Sequence, residues 1–290
     1  MRLPEKNTLA RIIGALLLAL LAGCSAVKTG YNNAPSLLYW WLDGYVDFND
    51  AQTGLLRQSL EELQAWHRRE ELPVYASQLR EVQLLAAGPV TPAQVCPQFE
   101  RARGHLTRAS LQAAEGLARL APTLQPEQLR HLARQFEKHN KTWREDWLVG
   151  SPDELLERRL NRTADRYSDF YGRLSDAQLG LLRQRLSESG FDARLAWRER
   201  LRRQQDLLAA LQQHRGADRP AHVKAEMLAL VQRSLEPPDL AARQQLEQVL
   251  QHGCQTLVLL HNSASAEQRR RLAGRLRGYE ADVQALMAPR

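Results

Sequence analysis

The chain has 290 residues, 40 Lys and Arg against 33 Asp and Glu, a formal net charge of +7 and three cysteines. The basic excess is mild for a chain so rich in both signs, so most charges are interspersed, as on a solvated helical surface; a Lys/Arg face toward anionic lipid heads or cell-wall polymers is the alternative. The length supports one large domain or two small ones with a real core.

The N-terminus sets the compartment. Arg2, Lys6 and Arg11 precede an uncharged run from Ile12 to Ala22, which is a basic n-region followed by an apolar segment too short for a permanent membrane helix of about 20 residues. The run ends in Leu21-Ala22-Gly23-Cys24, which resembles the bacterial lipobox. That resemblance implies a lipoprotein signal peptide over 1–23, acylation of Cys24 and cleavage before it. Ser25 resembles the residue type that, in lipoproteins of Gram-negative bacteria, accompanies sorting to the outer membrane. Each buried acyl methylene contributes about 0.8 kcal/mol, so several chains hold a protein at a bilayer without a spanning helix. The expectation is a body facing the periplasm with acyl chains in the membrane, where nucleic acid is no partner. Cleavage would lower the formal charge to +5, by removing Arg2, Glu5, Lys6 and Arg11.

A lipidated Cys24 leaves Cys96 and Cys254 in an oxidising space, where an even remainder points to one disulfide. Two separate buried thiols are the alternative. No CxxC or closely spaced His/Cys cluster suggests a metal.

The segment 24–48 is aromatic: Tyr31, Tyr39, Trp40, Trp41, Tyr45 and Phe48 stand close to the anchor. It either packs back onto the body or forms a membrane-interface or partner surface. From residue 49 to 290 the pattern is helical. Leu56, Leu60, Leu63 and Trp66 make one apolar stripe; Leu129, Leu132, Phe136, Trp143 and Trp147 make another, interrupted by Asn140. Further stripes run through Leu156 to Leu174, through Leu246, Leu250, Gly253, Leu257 and Leu260, and through Leu272, Leu276, Tyr279, Val283 and Leu286. Their spacing predicts amphipathic helices, and no sustained alternation supports strands.

A start signal recurs as FNDAQ, VTPAQ, LQPEQ, LSDAQ and ASAEQ. In four of them Asn49, Thr91, Ser175 or Ser265 stands three residues before a Gln, the spacing of a capping box. Their intervals are irregular and do not suggest a solenoid. Pro73, Ala87-Gly88-Pro89, Gly150-Ser151-Pro152, the loop 214–220 and Glu236-Pro237-Pro238-Asp239 mark helix boundaries. The architecture expected is all-α, an elongated bundle of antiparallel helical hairpins.

The front segment GYNNAPSLLYWWLDGYVDFNDAQ, with AWHRREELPVYASQL and the Cys24 motif, resembles a family of uncharacterised Gram-negative lipoproteins, a domain of unknown function. That resemblance implies a lipidated helical envelope protein and no activity. LSDAQLGLL and ASAEQRRRL resemble the Leu-Thr-x-x-Gln motifs of Spy- and CpxP-type periplasmic chaperones, with Ser175, Ser265 or Gln125 where those carry Thr.

No zinc helix, nucleophile elbow or phosphate-cradling glycine loop occurs, and no cofactor is implied. His67 with Arg68, Arg69, Glu70 and Glu71 is a charged cluster that reads as solvated surface or as a site. His131 and His139, two turns apart, cannot share a metal directly. The leading expectation is a non-enzymatic lipid-anchored protein that binds another envelope component through its aromatic front or a groove between hairpins. The alternatives are a holdase for periplasmic polypeptides and an enzyme acting on cell-wall or lipid material.

Overall fold

The computed structural model describes residues 27–288, and among them every regular element is helical. After a helical stretch at 27–32 come α1 (Ala34–Val46), α2 (Asp50–Trp66), a π-helical turn (His67–Glu71), α3 (Leu72–Leu85) and α4 (Pro92–Leu120). A short 3-10 turn (Ala121–Thr123) leads to α5 (Pro126–Trp147), α6 (Pro152–Tyr171), α7 (Asp176–Ser187) and α8 (Ala193–His214). The chain closes with α9 (Pro220–Leu235), α10 (Leu240–Asn262) and α11 (Ala266–Met287).

All five expected N-termini carry capping boxes, including the one where Gln125 replaces a hydroxyl or Asn cap. A sixth, Ser151 with Glu154 at the start of α6, hides in a stretch that reads only as a breaker. Pro73, expected to start a fresh turn, lies in a helix that continues from α2 through the π turn into α3. Proline lacks an N–H and its ring crowds the carbonyl four residues back. The widened turn, with Leu72 N–H donating to His67 O, accommodates it.

Four of the capping glutamines meet in pairs. Gln52 and Gln128 exchange amide hydrogen bonds, Nε2 to Oε1, at 3.0 and 2.7 Å, and Gln178 and Gln268 do the same at 3.0 and 3.0 Å. Each spare N–H goes to the carbonyl two residues before the partner's cap: Gln52 to Thr123, Gln128 to Asp47, Gln178 to Ser263 and Gln268 to Arg173. Each Oε1 also accepts from the N–H of its own cap residue. Both donors and both lone pairs of every amide are used, which a buried polar group requires. A carboxylate would cap the helix equally well but has no N–H to give, so these positions need Gln rather than Glu.

The two clasps mark an internal duplication. Residues 50–60, DAQTGLLRQSL, and 176–186, DAQLGLLRQRL, differ only at two positions, Thr53/Leu179 and Ser59/Arg185. Glu127-Gln128, Arg130 and Leu132-Ala133 recur as Glu267-Gln268, Arg270 and Leu272-Ala273. Packing follows the same correspondence. Helix α1 packs on α2 and α5 as α6 packs on α7 and α11, and α2 packs on α4 as α7 packs on α10. Helix α3 crosses to α11, and α8 crosses to α5. The halves therefore exchange one helix each, and α9 alone has no counterpart.

Two core regions result. The first surrounds the C-terminal half of α4 with Leu56, Leu60, Ala114, Leu120, Leu129, Leu132, Leu211, Val223, Met227 and Leu230. The second joins Leu160, Tyr171, Leu182, Leu260, Leu272 and Leu276 with Val95, Cys254 and Val258 beside the N-terminal half of α4. Leu56 and its counterpart Leu182 are both buried. Where α2 meets α4, a Cβ on Gly116 would stand 2.9 Å from Ser59 Cβ, so the close approach needs glycine.

Candidate ligand-binding site

The aromatic front is sorted by helical position. Tyr39 is buried, its hydroxyl 3.2 Å from Thr53 Oγ1 and its ring under Arg57. Tyr31 is half-buried, with its hydroxyl 3.0 Å from His67 Nδ1. Tyr45 stacks on His139, and Phe48 packs into the first core. Trp40 and Trp41 remain exposed at 64% and 59%, with Leu37 and Leu38 beside them. One face of α1 therefore packs and the other presents Leu37, Leu38, Trp40 and Trp41. Cys24 and the apolar run before it lie outside the described residues.

The charged cluster at the π turn is bonded internally. Glu71, 2% exposed, lies 2.7 Å from His105 Nδ1 and accepts from Arg108 Nε at 2.7 Å and Nη2 at 3.1 Å. Burial pushes its carboxyl upward, but the bonds from Arg108 and His105 outweigh that and hold it below the usual range. His105 Nε2 lies 3.0 Å from Gln78 Oε1. Arg68 donates to the Leu286 carbonyl at the end of α11 and to Asn32. The cluster ties the α2–α3 junction to α4, the front segment and α11, and lines neither cavity described below. Among the described residues no group of three His, Cys, Asp or Glu is placed to hold a metal ion, and no helix is long and apolar enough to cross a membrane.

Each core region contains an apolar cavity. The first, about 510 Å³, is walled by Trp41 and Tyr45 of α1, Leu56 and Leu60 of α2, Leu132 and Phe136 of α5, and Leu207 and Leu211 of α8. Its charged groups are paired. Arg119 donates to Glu62 at 2.5 Å, and Arg200 donates to Asn140, which also exchanges bonds with Gln204.

The second cavity is larger, about 920 Å³, and both volumes lie within the range of about 300–1,000 Å³ common for ligand pockets. Tyr167 and Tyr171 of α6 and Leu272 and Leu276 of α11 occupy the places that Trp41, Tyr45, Leu132 and Phe136 hold in the first. Phe99 and Leu106 of α4 and Leu246, Leu250 and Leu257 of α10 complete the wall. Leu246 and Leu250, the front of an expected core stripe, thus face a void. Arg103, Arg166, Arg203 and Glu236 are its charged lining groups. His261 Nε2 donates to the Gly88 carbonyl at 2.8 Å, which leaves Nδ1 to accept from Tyr171 at 3.0 Å. Burial raises the Tyr171 phenol and lowers His261, and it pushes Tyr167 up to about 12.

Cys96 on α4 and Cys254 on α10 lie at disulfide-bonding distance, their Cα atoms 5.2 Å apart, and join two walls of this cavity. Glu62 and His139 line the first cavity and Glu236 and His261 the second, and in neither does the imidazole hydrogen-bond the carboxylate. The glutamine clasps and the cavities are what the sequence reading missed. The clasps had a signal in the repeated DAQ-x-GLLRQ-x-L string; the cavities had none. A family model, described as a family of unknown function (DUF6279), matches residues 44–236, more than half of the chain. No curated protein and no solved structure matches it.

Proposed function

We propose, from the premise that the chain belongs to DUF6279, a family of unknown function, that it is a lipid-anchored helical binding protein of the Gram-negative envelope. In this reading Cys24 carries the acyl chains, the body lies in the periplasm, and an apolar envelope component enters a cavity between its helices. The observation that carries the binding role is the pair of apolar cavities at corresponding places in the two halves. Supporting the location are the basic and apolar N-terminal run ending in Leu-Ala-Gly-Cys and the Cys96–Cys254 pair, which suits an oxidising compartment. The outer face of α1, with Leu37, Leu38, Trp40 and Trp41, lies within about 20 residues of that cysteine. Trp and Leu on such a face suit the headgroup region of a bilayer.

The test is the fluorescence of N-phenyl-1-naphthylamine with the full chain in nanodiscs, against empty nanodiscs. Saturable enhancement in excess of the lipid background supports a ligand-binding protein; enhancement equal to empty nanodiscs contradicts it. Replacing Cys24 by Ser should abolish incorporation of radiolabelled palmitate in cells, and continued labelling would contradict the anchor.

A further inference from the structure

The two cavities differ in what their polar groups are free to do. In the first, Glu62 with Arg119, and Arg200 with Asn140 and Gln204, form closed sets. In the second, three arginines and one glutamate face a largely apolar space, an excess of positive charge. Arg166 makes no ion pair or hydrogen bond among the described residues. Arg103 reaches the Glu100 carboxylate only at 3.8 Å, and Arg203 reaches the Glu199 carboxylate only at 3.7 Å while its Nε makes a long 3.4 Å bond to the Glu199 backbone carbonyl, so neither has a strong ion-pair partner. Arg166 and Arg203 are exposed and Arg103 is half-exposed, so the cationic groups lie toward solvent and the Leu and Phe side chains form the interior. Tyr167, half-buried, adds a hydroxyl with no hydrogen-bond partner among the described residues, held well above the ordinary phenol range by burial and so a donor at any physiological pH.

We infer that the larger cavity binds a single-chain amphiphile with an anionic head, of which a long-chain fatty acid is the simplest. The alkyl chain lies among Phe99, Leu250 and Leu257, and the head stays at the arginine rim. Apolar burial supplies most of the affinity, and charge-assisted bonds from guanidinium groups select the head. This inference rests on the ligand-binding reading above and specifies its ligand.

The test uses the full chain in phosphatidylcholine nanodiscs with a palmitate analogue that carries a diazirine near its methyl end, followed by peptide mapping of the crosslinks. The expected result is crosslinking to α4 and α10 at the second cavity. Unlabelled palmitate should compete at least tenfold better than hexadecanol, the factor that about 1.4 kcal/mol of head recognition produces. Arg166→Glu combined with Arg203→Glu should lower the yield by about tenfold, and Ala102→Trp, which fills the mouth, should abolish it with the helical circular dichroism unchanged. Equal competition by palmitate, hexadecanol and a cationic dodecyltrimethylammonium would overturn the anionic assignment and leave the binding role standing. Crosslinks confined to the first cavity would overturn the choice of site. No crosslink in the protein, together with no N-phenyl-1-naphthylamine signal, would overturn both.

Discussion

The two halves start from the same string and end in different cavities, and the element that separates them is α9. In the first half Val223, Met227 and Leu230 of α9 are buried in the core, where the cavity is about 510 Å³. The second core buries no α9 side chain, α9 reaching its cavity only with Ser234 and Leu235, and that cavity is about 920 Å³. A second divergence lies at its edge. The alignment of the clasps places Ala121 of the first half where His261 stands in the second, and both are buried. Duplication thus conserves the Gln clasp and frees the space between helices to vary.

The largest effect expected from breaking this comparison concerns the covalent link between α4 and α10, which lies beside the second cavity and not the first. A chain-entropy estimate for a bridge spanning 158 residues gives about 5 kcal/mol, before native strain is subtracted. Cys254→Ser should therefore lower the denaturation midpoint strongly. Hydrogen exchange should rise first in α10 and the start of α4; a uniform rise across both halves would contradict a local clamp.

The clasps come next. Gln52→Glu and Gln178→Glu each place a carboxylate against a buried amide oxygen and a carbonyl, at a cost of about 3 kcal/mol. Gln94→Glu, at an exposed capping box without a partner helix, should change stability by no more than about 0.5 kcal/mol. Equal effects at buried and exposed sites, read by chemical denaturation, would refute the pairing argument.

These clasps show how far the sequence could be read. Asn49, Thr91, Ser175 and Ser265 announce helix starts locally, because capping is a contact within four residues. That Gln52 finds Gln128, and Gln178 finds Gln268, depends on helices 76 and 90 residues apart, so neither window shows it alone and only the repeat of DAQ-x-GLLRQ-x-L hints at it. Ser151 escaped because Glu154 stands in place of Gln, and Pro73 misled because a π turn absorbs a proline that an α-helix would not. Parity pointed to the Cys96–Cys254 pair, which reading requires only a count. Adjacent residues in the aromatic front, Tyr39 and Trp40, have opposite fates because they lie 100° apart on one helix. The voids could not be read at all, since a stripe such as Leu246–Leu250 looks the same whether it meets a neighbour or a cavity.

Packing sharpens the contrast between halves more gently. Met227→Ala removes a side chain with no exposure from the first core and should cost about 3 kcal/mol. Leu250→Ala, already facing a void, should cost about 1 kcal/mol. Comparable losses would mean that the second cavity closes around Leu250.

The smallest effect is pH dependence specific to the second half. Burial lowers the folded pKa of His261 below its ordinary value of 6.5. The unfolded chain then binds the proton more readily, so this contribution is fully present above pH 6.5 and is lost as pH falls through the lower folded value. Burial lowers His67 in the same direction, so the diagnostic is a difference between proteins. Wild type should lose more thermal stability than His261→Gln between pH 7.5 and 5.5; identical slopes would remove His261 from the account.

The central claim, that the space left between duplicated halves is a binding site, is most directly tested by native mass spectrometry of the chain extracted from the cells that make it. A bound amphiphile at one per chain, present in wild type and missing in Ala102→Trp, is the predicted result. A wild-type chain whose mass equals that of the acylated polypeptide alone, under conditions gentle enough to retain lipid on a known lipid carrier, would contradict it.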